Sequence, residues 1–177
     1  MALQRVKING YGQLELNAVA FRRSGRIEAQ CKIADGIDYI ENGMLLAVDN
    51  VERVVKYVTE GEKLPVALNY TTEHMYDERH NALKDFKLDA GTFLPRMGYQ
   101  GAGDKYTTNC LAYDTDEFAD DDALKDAVEN VKTERLYAKA CANGAHQITK
   151  DDTDALCLVL GATTMPDGQF AVKFQAL

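Results

Sequence analysis

The stretch Thr71–His80 concentrates side chains that could perform chemistry. It reads TTEHMYDERH and places Asp77 and Glu78 between His74 and His80. A helical zinc site needs histidines at positions i and i+4, and a spacing of six does not match it. On a strand, positions six apart lie roughly 20 Å from each other, too far for one ion to bridge. The spacing therefore favours a polar loop, and only a curled loop could bring these side chains around a metal.

Other reactive residue types also lack the spacing that their chemistry needs. The run GYQGAGDKYTT approaches a phosphate-binding loop, but Asp104 occupies the position of the lysine and would set a carboxylate against phosphate. The only serine, Ser24, has no histidine near it in the sequence, and His146 in NGAHQ is predicted to be a surface turn residue. The sequence therefore predicts no catalytic residue, no cofactor and no metal site.

The cysteines are spaced too widely to form a zinc cluster or a redox pair. Because no C-x-x-C occurs, we expect reduced thiols in a reducing compartment, with Cys31 and Cys110 in the core of strands. The four are Cys31, Cys110, Cys141 and Cys157.

Charge and hydropathy limit the classes of partner. The 177 residues carry a net charge of −8, which repels a phosphate backbone, and only Phe21–Arg26 (FRRSGR) clusters basic residues, in a predicted solvated turn. The N-terminus lacks the apolar region of a signal peptide, and no uncharged run approaches the roughly 20 residues of a membrane span. We therefore expect a soluble protein that binds neither nucleic acid nor membrane.

Alternation with a period of two recurs along the chain and predicts β-strands. It is clearest in RIEAQCKI, where Ile27, Ala29, Cys31 and Ile33 share one face. The same pattern occurs in GQLELNAVAF and AVKFQAL, and further strands are predicted in GMLLAVDN, LPVALNYT, YTTNCLAYDT, RLYAKACA and DALCLVLGATT. VERVVKYV matches helical spacing as well, but its β-branched valines and flanking turns favour a strand. The predicted fold is mainly β, an antiparallel β-barrel or sandwich.

Two further elements complete the prediction. DDDALKDAVENVK spaces Leu124, Ala127, Val128 and Val131 as one face of a short amphipathic helix. The turn at Pro166, in TTMPDGQF, predicts a C-terminal β-hairpin. We divide the chain into an N-terminal arm (1–20), a main β domain (21–118) and a helix plus hairpin region (119–177) that could be continuous with the main domain.

Three stretches resemble small structural proteins that tailed bacteriophages encode beside the major capsid gene, the head decoration or cement type. They are IENGMLLAVDN, LKDFKLDAGTFLPRMGYQGAGDKYTTN and TTMPDGQFAVKFQAL, and the resemblance covers roughly residues 37–118 and 155–177. It implies a non-enzymatic virion protein, made in the bacterial host cytoplasm, that binds the major capsid protein on the capsid exterior and stabilises the head. The acidic helix departs from the simplest decoration folds and leaves open a head fibre, neck or tail component.

The arm and an aromatic loop are the predicted contact surfaces of a homo-oligomer or of a capsid complex. The apolar residues of GTFLPRMGYQ could equally be an internal plug, an alternative that the sequence leaves open. Two rival functions are a small metal-dependent hydrolase using His74, Asp77, Glu78 and His80, and a small-molecule binding barrel. The predicted interface residues are Val6, Ile8, Phe93, Leu94, Met97 and Tyr99.

Overall fold

The structure is a computed structural model that describes residues 2–59, 61–71 and 82–177. Within these ranges the chain forms sixteen short strands, two α-helices and a 3-10 helix at Leu83–Asp85. The strands are β1 Leu3–Arg5, β2 Leu14–Ala18, β3 Ile27–Glu28, β4 Lys32–Ile33, β5 Tyr39–Ile40, β6 Leu45–Asp49, β7 Val54–Lys56, β8 Val66–Asn69, β9 Leu88–Asp89, β10 Met97–Gly98, β11 Lys105–Thr108, β12 Leu111–Asp114, β13 Tyr137–Ala140, β14 His146–Thr149, β15 Cys157–Thr164 and β16 Phe170–Ala176. The helices are α1 Phe21–Ser24 and α2 Asp121–Glu129.

An eight-stranded sheet takes strands from all three predicted segments of the chain. Its order is β1-β12-β14-β13-β15-β16-β11-β2. Only Asn109 and Cys110 separate β11 from β12, although these strands hold the seventh and second positions of the sheet. Two residues span less than about 11 Å, so the sheet must curl until its two ends approach each other. Among the described residues no ladder joins β1 to β2, and the curled sheet does not close into a barrel.

A six-stranded sheet of order β3-β10-β8-β6-β7-β4 packs beside the first, and β5 pairs with β9 in a separate two-stranded sheet. The central strand β6 is buried on both faces, as its continuous apolar sequence requires. Its Leu45 belongs to one hydrophobic cluster, which also receives α2, whereas Leu46 and Val48 belong to the other. The mainly β, sandwich-like architecture confirms the predicted fold class. Most ladders are antiparallel, but β12–β14 and β4–β7 are parallel.

The predicted amphipathic helix is confirmed. The side chain of Asp120 caps α2 by accepting a hydrogen bond from the Ala123 N–H at 2.8 Å, and Leu124 and Val128 are fully buried. The basic stretch FRRSGR, predicted as a turn, contains the one-turn helix α1, which ends where Gly25 adopts a left-handed conformation. Helix α1 buries Phe21 and leaves Arg22 and Arg23 exposed.

The C-terminal hairpin is also confirmed, and its turn has the predicted chemistry. Strands β15 and β16 pair from Cys157↔Ala176 to Thr164↔Phe170. The Gly168 N–H donates to the Met165 carbonyl oxygen at 2.8 Å, which places Pro166 and Asp167 at the two central positions of the turn. Gly168 follows with a φ of +84°, so the loop needs a residue that tolerates this conformation.

The clearest alternating stretch, RIEAQCKI, is not one strand. It forms β3 and β4, which lie at opposite edges of the six-stranded sheet and pair with β10 and β7. Cys31 and Ile33 are buried as predicted, but Ala29 lies in the exposed connection between the two strands. The alternating pattern correctly predicted which residues of the second half are buried. The prediction of one continuous strand was wrong because the two halves pair with different strands.

Candidate functional site

The loop between β9 and β10 carries Phe93 and Leu94 on the protein surface, and hydrogen bonds fix both ends of the loop. At the first end, the Ala90 N–H donates to the Asp38 carbonyl oxygen at 2.8 Å and the Thr92 hydroxyl donates to the Asp89 carbonyl oxygen at 2.6 Å. At the second end, the Arg96 N–H donates to the Thr71 hydroxyl at 3.0 Å. Since both ends are anchored by hydrogen bonds, the loop presents its apolar tip as a defined surface.

This surface combines exposed apolar side chains with an adjoining groove. Phe93 is 73% exposed and Leu94 is 48% exposed, and as neighbours they form an exposed apolar patch, which is more informative than a single exposed apolar residue. The groove beside them has a volume of about 470 Å³. We call the exposed side chains and this groove together the Phe93 surface. The groove is lined by Ala29, Thr71, Phe86, Leu88, Phe93, Leu94 and Arg96.

The other predicted interface residues occupy different environments. Met97 is fully buried in the second hydrophobic cluster, so its predicted exposure was wrong: β10 pairs on both sides, with β3 and β8, and the side chain fills the core. Val6 is also buried, and its N–H donates to the Leu111 carbonyl oxygen at 3.0 Å. Ile8 and Tyr99 are half-buried. Of the six residues, only Phe93 and Leu94 are fully available to a partner.

The N-terminal arm (1–20), predicted as a contact surface, is also a part of the fold. Arg5 in β1 makes a bidentate ion pair with Glu41, with 2.8 Å between Nη1 and Oε1. The buried carboxylate also accepts from the Gly12 N–H at 2.6 Å. Residues of the arm therefore supply much of the hydrogen bonding that a buried carboxylate requires.

A cluster of reactive residue types lies in the interior, where the sequence predicted none. The Tyr106 hydroxyl lies 2.7 Å from Nε2 of His146 and 3.1 Å from Sγ of Cys157, and it accepts a hydrogen bond from Nε2 of Gln100 at 3.0 Å. The His146 ring stacks on Phe174 with 4.7 Å between centroids. We call these residues the Tyr106 cluster. The prediction that His146 is a surface turn residue was wrong, since it lies on β14 and is fully buried.

The protonation states of the Tyr106 cluster fit packing better than catalysis. Burial raises the pKa of the Cys157 thiol to about 12, so the thiolate needed for nucleophilic attack is scarce at neutral pH. Burial also lowers the pKa of His146 to about 3, which keeps the imidazole neutral. Each group is sealed from solvent, and the cluster is best understood as a hydrogen-bonded polar element of the core.

The remaining thiols are similarly placed. Cys31 and Cys110 are buried as predicted, Cys141 and Cys157 are buried too, and all four are free. Desolvation raises the pKa of Cys110 to about 12 and of Cys141 to about 11. In the described part of the chain, no three His, Cys, Asp or Glu residues are arranged to hold a metal ion. The predicted polar loop with His74, Asp77, Glu78 and His80 lies outside the described residues.

A local signal existed for one of the two residues that the sequence reading missed, His146 and Glu41. In HQIT, His146 and Ile148 alternate with Gln147, a pattern that is compatible with a strand. For Glu41, a lone acidic residue after the apolar Ile40 gives no local sign of its partner, because Arg5 lies 36 positions away.

Comparison of the chain with protein-family models, with curated proteins and with solved structures found no match in any of the three. Each helix in the described ranges is too short or too polar to cross a bilayer.

Proposed function

We propose that this chain is a bacteriophage virion structural protein that binds the capsid exterior and stabilises the head, with the Phe93 surface as its main contact. The observation that carries the proposal is the exposure of Phe93 and Leu94 on an anchored loop beside an apolar groove. A protein without a partner gains nothing from such a surface, whereas interface centres are enriched in aromatic side chains. The resemblance of the sequence to decoration proteins supports the choice of the capsid as the partner.

The proposed mechanism is thermodynamic linkage. A protein that binds the assembled head and not its dissociated subunits shifts the equilibrium towards the assembled head. Full burial of one phenylalanine or leucine side chain contributes about 1.5–3 kcal/mol, and a head carries many copies of such a contact. The partner is the major capsid protein, and the protein performs no reaction in this role. A head fibre, neck or tail component is the alternative within the same class.

Co-sedimentation tests the proposal. Empty heads assembled without this chain, from the major capsid protein encoded beside it, would provide the binding target. We expect the wild-type protein to sediment with the heads and Phe93→Ala with Leu94→Ser to lose about tenfold or more in affinity, since interface anchors cost about 2 kcal/mol or more on truncation. The melting temperature of the free variant should stay close to that of the wild type, because exposed side chains contribute little to folding.

Val51 offers a matched control. It is 95% exposed and apolar, but it lies on the turn between β6 and β7, outside the Phe93 surface. Val51→Ser should bind heads like the wild type. Failure of the wild-type protein to bind heads would reject the capsid role, and binding to isolated tails would favour the alternative. A Phe93→Ala variant that unfolds would show that the ring is needed for packing.

A further inference from the structure

An asparagine followed by a glycine occurs three times in this chain, at Asn9, Asn42 and Asn143. Such a pair is chemically labile, because the backbone nitrogen of the glycine can attack the side-chain carbonyl carbon of the asparagine. Glycine hinders this attack least, since it has no side chain and the most flexible backbone. The local sequence is reactive at all three positions, so the fold determines which of them can react.

The pair at Asn42 is closed by burial. Its side chain is fully buried. The N–H of Gly43 donates to the Asn69 carbonyl oxygen at 2.9 Å, so the attacking nitrogen is also engaged. Reaction here would need a local opening of the interior that releases both groups.

The pair at Asn143 is held by a tight turn. Oδ1 of Asn143 accepts hydrogen bonds from the Ala145 N–H and from the Cys141 thiol, each at 3.0 Å. The N–H of Gly144 donates to the Cys141 carbonyl oxygen at 2.9 Å, and Gly144 is buried. The side chain and the attacking nitrogen are therefore both fixed, and the turn has to open before they can meet.

The pair at Asn9, in the connection between β1 and β2, is open. Asn9 and Gly10 are exposed, and among the described residues neither the Asn9 side chain nor the Gly10 N–H has a hydrogen-bond partner. The main chain of Asn9 is held by the side-chain amide of Gln169, which accepts from its N–H at 2.6 Å and donates to its carbonyl oxygen at 3.0 Å. These two hydrogen bonds lie at the surface, where water replaces them at little cost.

The fold itself requires glycine at position 10. Gly10 has a φ of +86°, a left-handed conformation that other residues rarely adopt. A Cβ atom at this position would also collide with the carbonyl oxygen of Lys84. The residue that makes Asn9 reactive is therefore fixed by the path of the connection.

We propose that Asn9 is a site of spontaneous deamidation in the folded protein, whereas Asn42 and Asn143 are protected. The Gly10 nitrogen forms a bond to Cγ of Asn9 and the bond from Cγ to Nδ2 breaks. The side-chain nitrogen leaves as ammonia, taking the proton of the Gly10 N–H. Water then opens the resulting succinimide ring at either carbonyl, and the product is aspartate or isoaspartate. Water is the only co-reactant, and nothing is oxidised or reduced.

Both products alter the contact between this connection and the C-terminal hairpin, independently of any capsid role. The same Nε2 of Gln169 that donates to Asn9 also donates to the Asp167 carboxylate at 2.6 Å. Deamidation adds a second carboxylate near this amide, and like charges repel. In isoaspartate the β-carbon enters the main chain, which displaces the groups that Gln169 binds. Ageing should therefore loosen the connection from the hairpin turn.

Peptide mass spectrometry of protein aged at physiological temperature and mildly alkaline pH tests the proposal. We expect Asn9 to deamidate about tenfold or more faster than Asn42 and Asn143, because the other two pairs react only after a local opening. In protein kept unfolded in urea, the three sites should react at similar rates, since each is followed by glycine. Folded protein in which Asn9 reacts no faster than the other two sites would overturn the proposal. So would the same preference for Asn9 in the unfolded chain, because the fold would then not be its cause.

Two variants test the restraint on the main chain. Gln169→Ala should raise the rate at Asn9 about threefold or more, because two hydrogen bonds no longer oppose the rotation that the attack requires. Gln30→Ala is the matched control, since Gln30 is exposed and its side chain has no hydrogen bond among the described residues. It should react like the wild type. Equal rates in the Gln169→Ala variant and the wild type would contradict the restraint by Gln169.

Discussion

At the scale of single residues, the fully buried His146 has a pKa far below its ordinary value. Its imidazole is neutral in the folded chain, with a pKa of about 3 against an ordinary value of 6.5. Between these two pH values the unfolded chain binds a proton that the folded chain does not. The free energy of unfolding should therefore decrease as the pH falls below 6.5, by up to about 1.4 kcal/mol per pH unit from this residue, and should gain no slope from it above pH 6.5.

Urea unfolding at several pH values between about 4.5 and 7.5 measures this slope, with His146→Gln as the comparison. Glutamine keeps a polar group near the Tyr106 hydroxyl but cannot bind a proton in this range. The variant should be less stable at neutral pH and should have a flatter pH dependence than the wild type. Equal slopes for the two proteins would mean that His146 is not buried as a neutral group.

Single residues also show the limits of prediction from sequence. The burial of Cys31 and Cys110 followed from their place in alternating runs. His146 was missed because its partner Tyr106 lies 40 positions away, and the nearby Gly144 suggested a turn. A buried polar residue is defined by partners that only the folded chain brings together.

At the scale of elements, β1 pairs with β12 and also carries an ion pair whose acid is buried. Glu41 is 3% exposed, so removal of Arg5 would leave an unpaired carboxylate in the interior. We expect Arg5→Ala to destabilise the chain by about 3 kcal/mol, the lower end for a broken buried pair because Arg5 itself is partly exposed.

Thermal or urea unfolding measures this loss, and Lys7→Ala is the control in the same arm, since Lys7 is exposed and its bond to Asp121 uses the backbone. An Arg5→Ala variant as stable as the wild type would show that the arm can detach without cost. The same contacts mean that removing Met1–Gly10 should destabilise the fold, so the arm, predicted from the sequence as a contact surface, also contributes to folding.

The hairpin turn allows a second test of an element. Gly168 has a left-handed backbone, so Gly168→Ala should cost about 1 kcal/mol in the free energy of unfolding. Gly168→Asn should cost less, because asparagine tolerates this conformation better than alanine. Chemical denaturation of the two variants provides the comparison, and an alanine variant at least as stable as the asparagine variant would contradict the turn geometry.

Elements with local signals were predictable, and elements with distant partners were not. The period of DDDALKDAVENVK and the proline turn at Pro166 placed α2 and the hairpin correctly. RIEAQCKI has an equally regular period, yet its halves pair with β10 and β7. Alternation reports which side chains can be buried, but the choice of partner strand depends on contacts far along the chain.

At the scale of the whole molecule, the eight-stranded sheet joins the two ends of the sequence. β1 pairs with β12, and β2 pairs with β11, next to the C-terminal strand β16. The mainly β class and the exposure of Phe93 and Leu94 were predicted from the sequence, but the order of the strands was not, since it depends on how the sheets curl and pack. The molecule that results has a hydrophobic interior that encloses the Tyr106 cluster, and it exposes the apolar Phe93 surface.

The central claim is that the Phe93 surface holds this protein on the outside of a phage head. The most direct test is a cryo-electron microscopy reconstruction of empty heads incubated with the purified protein. We expect added density on the outer capsid surface, into which the structure fits with Phe93 and Leu94 facing the major capsid protein. Heads without added density at saturating protein, or bound protein with the Phe93 loop turned to solvent, would contradict the claim.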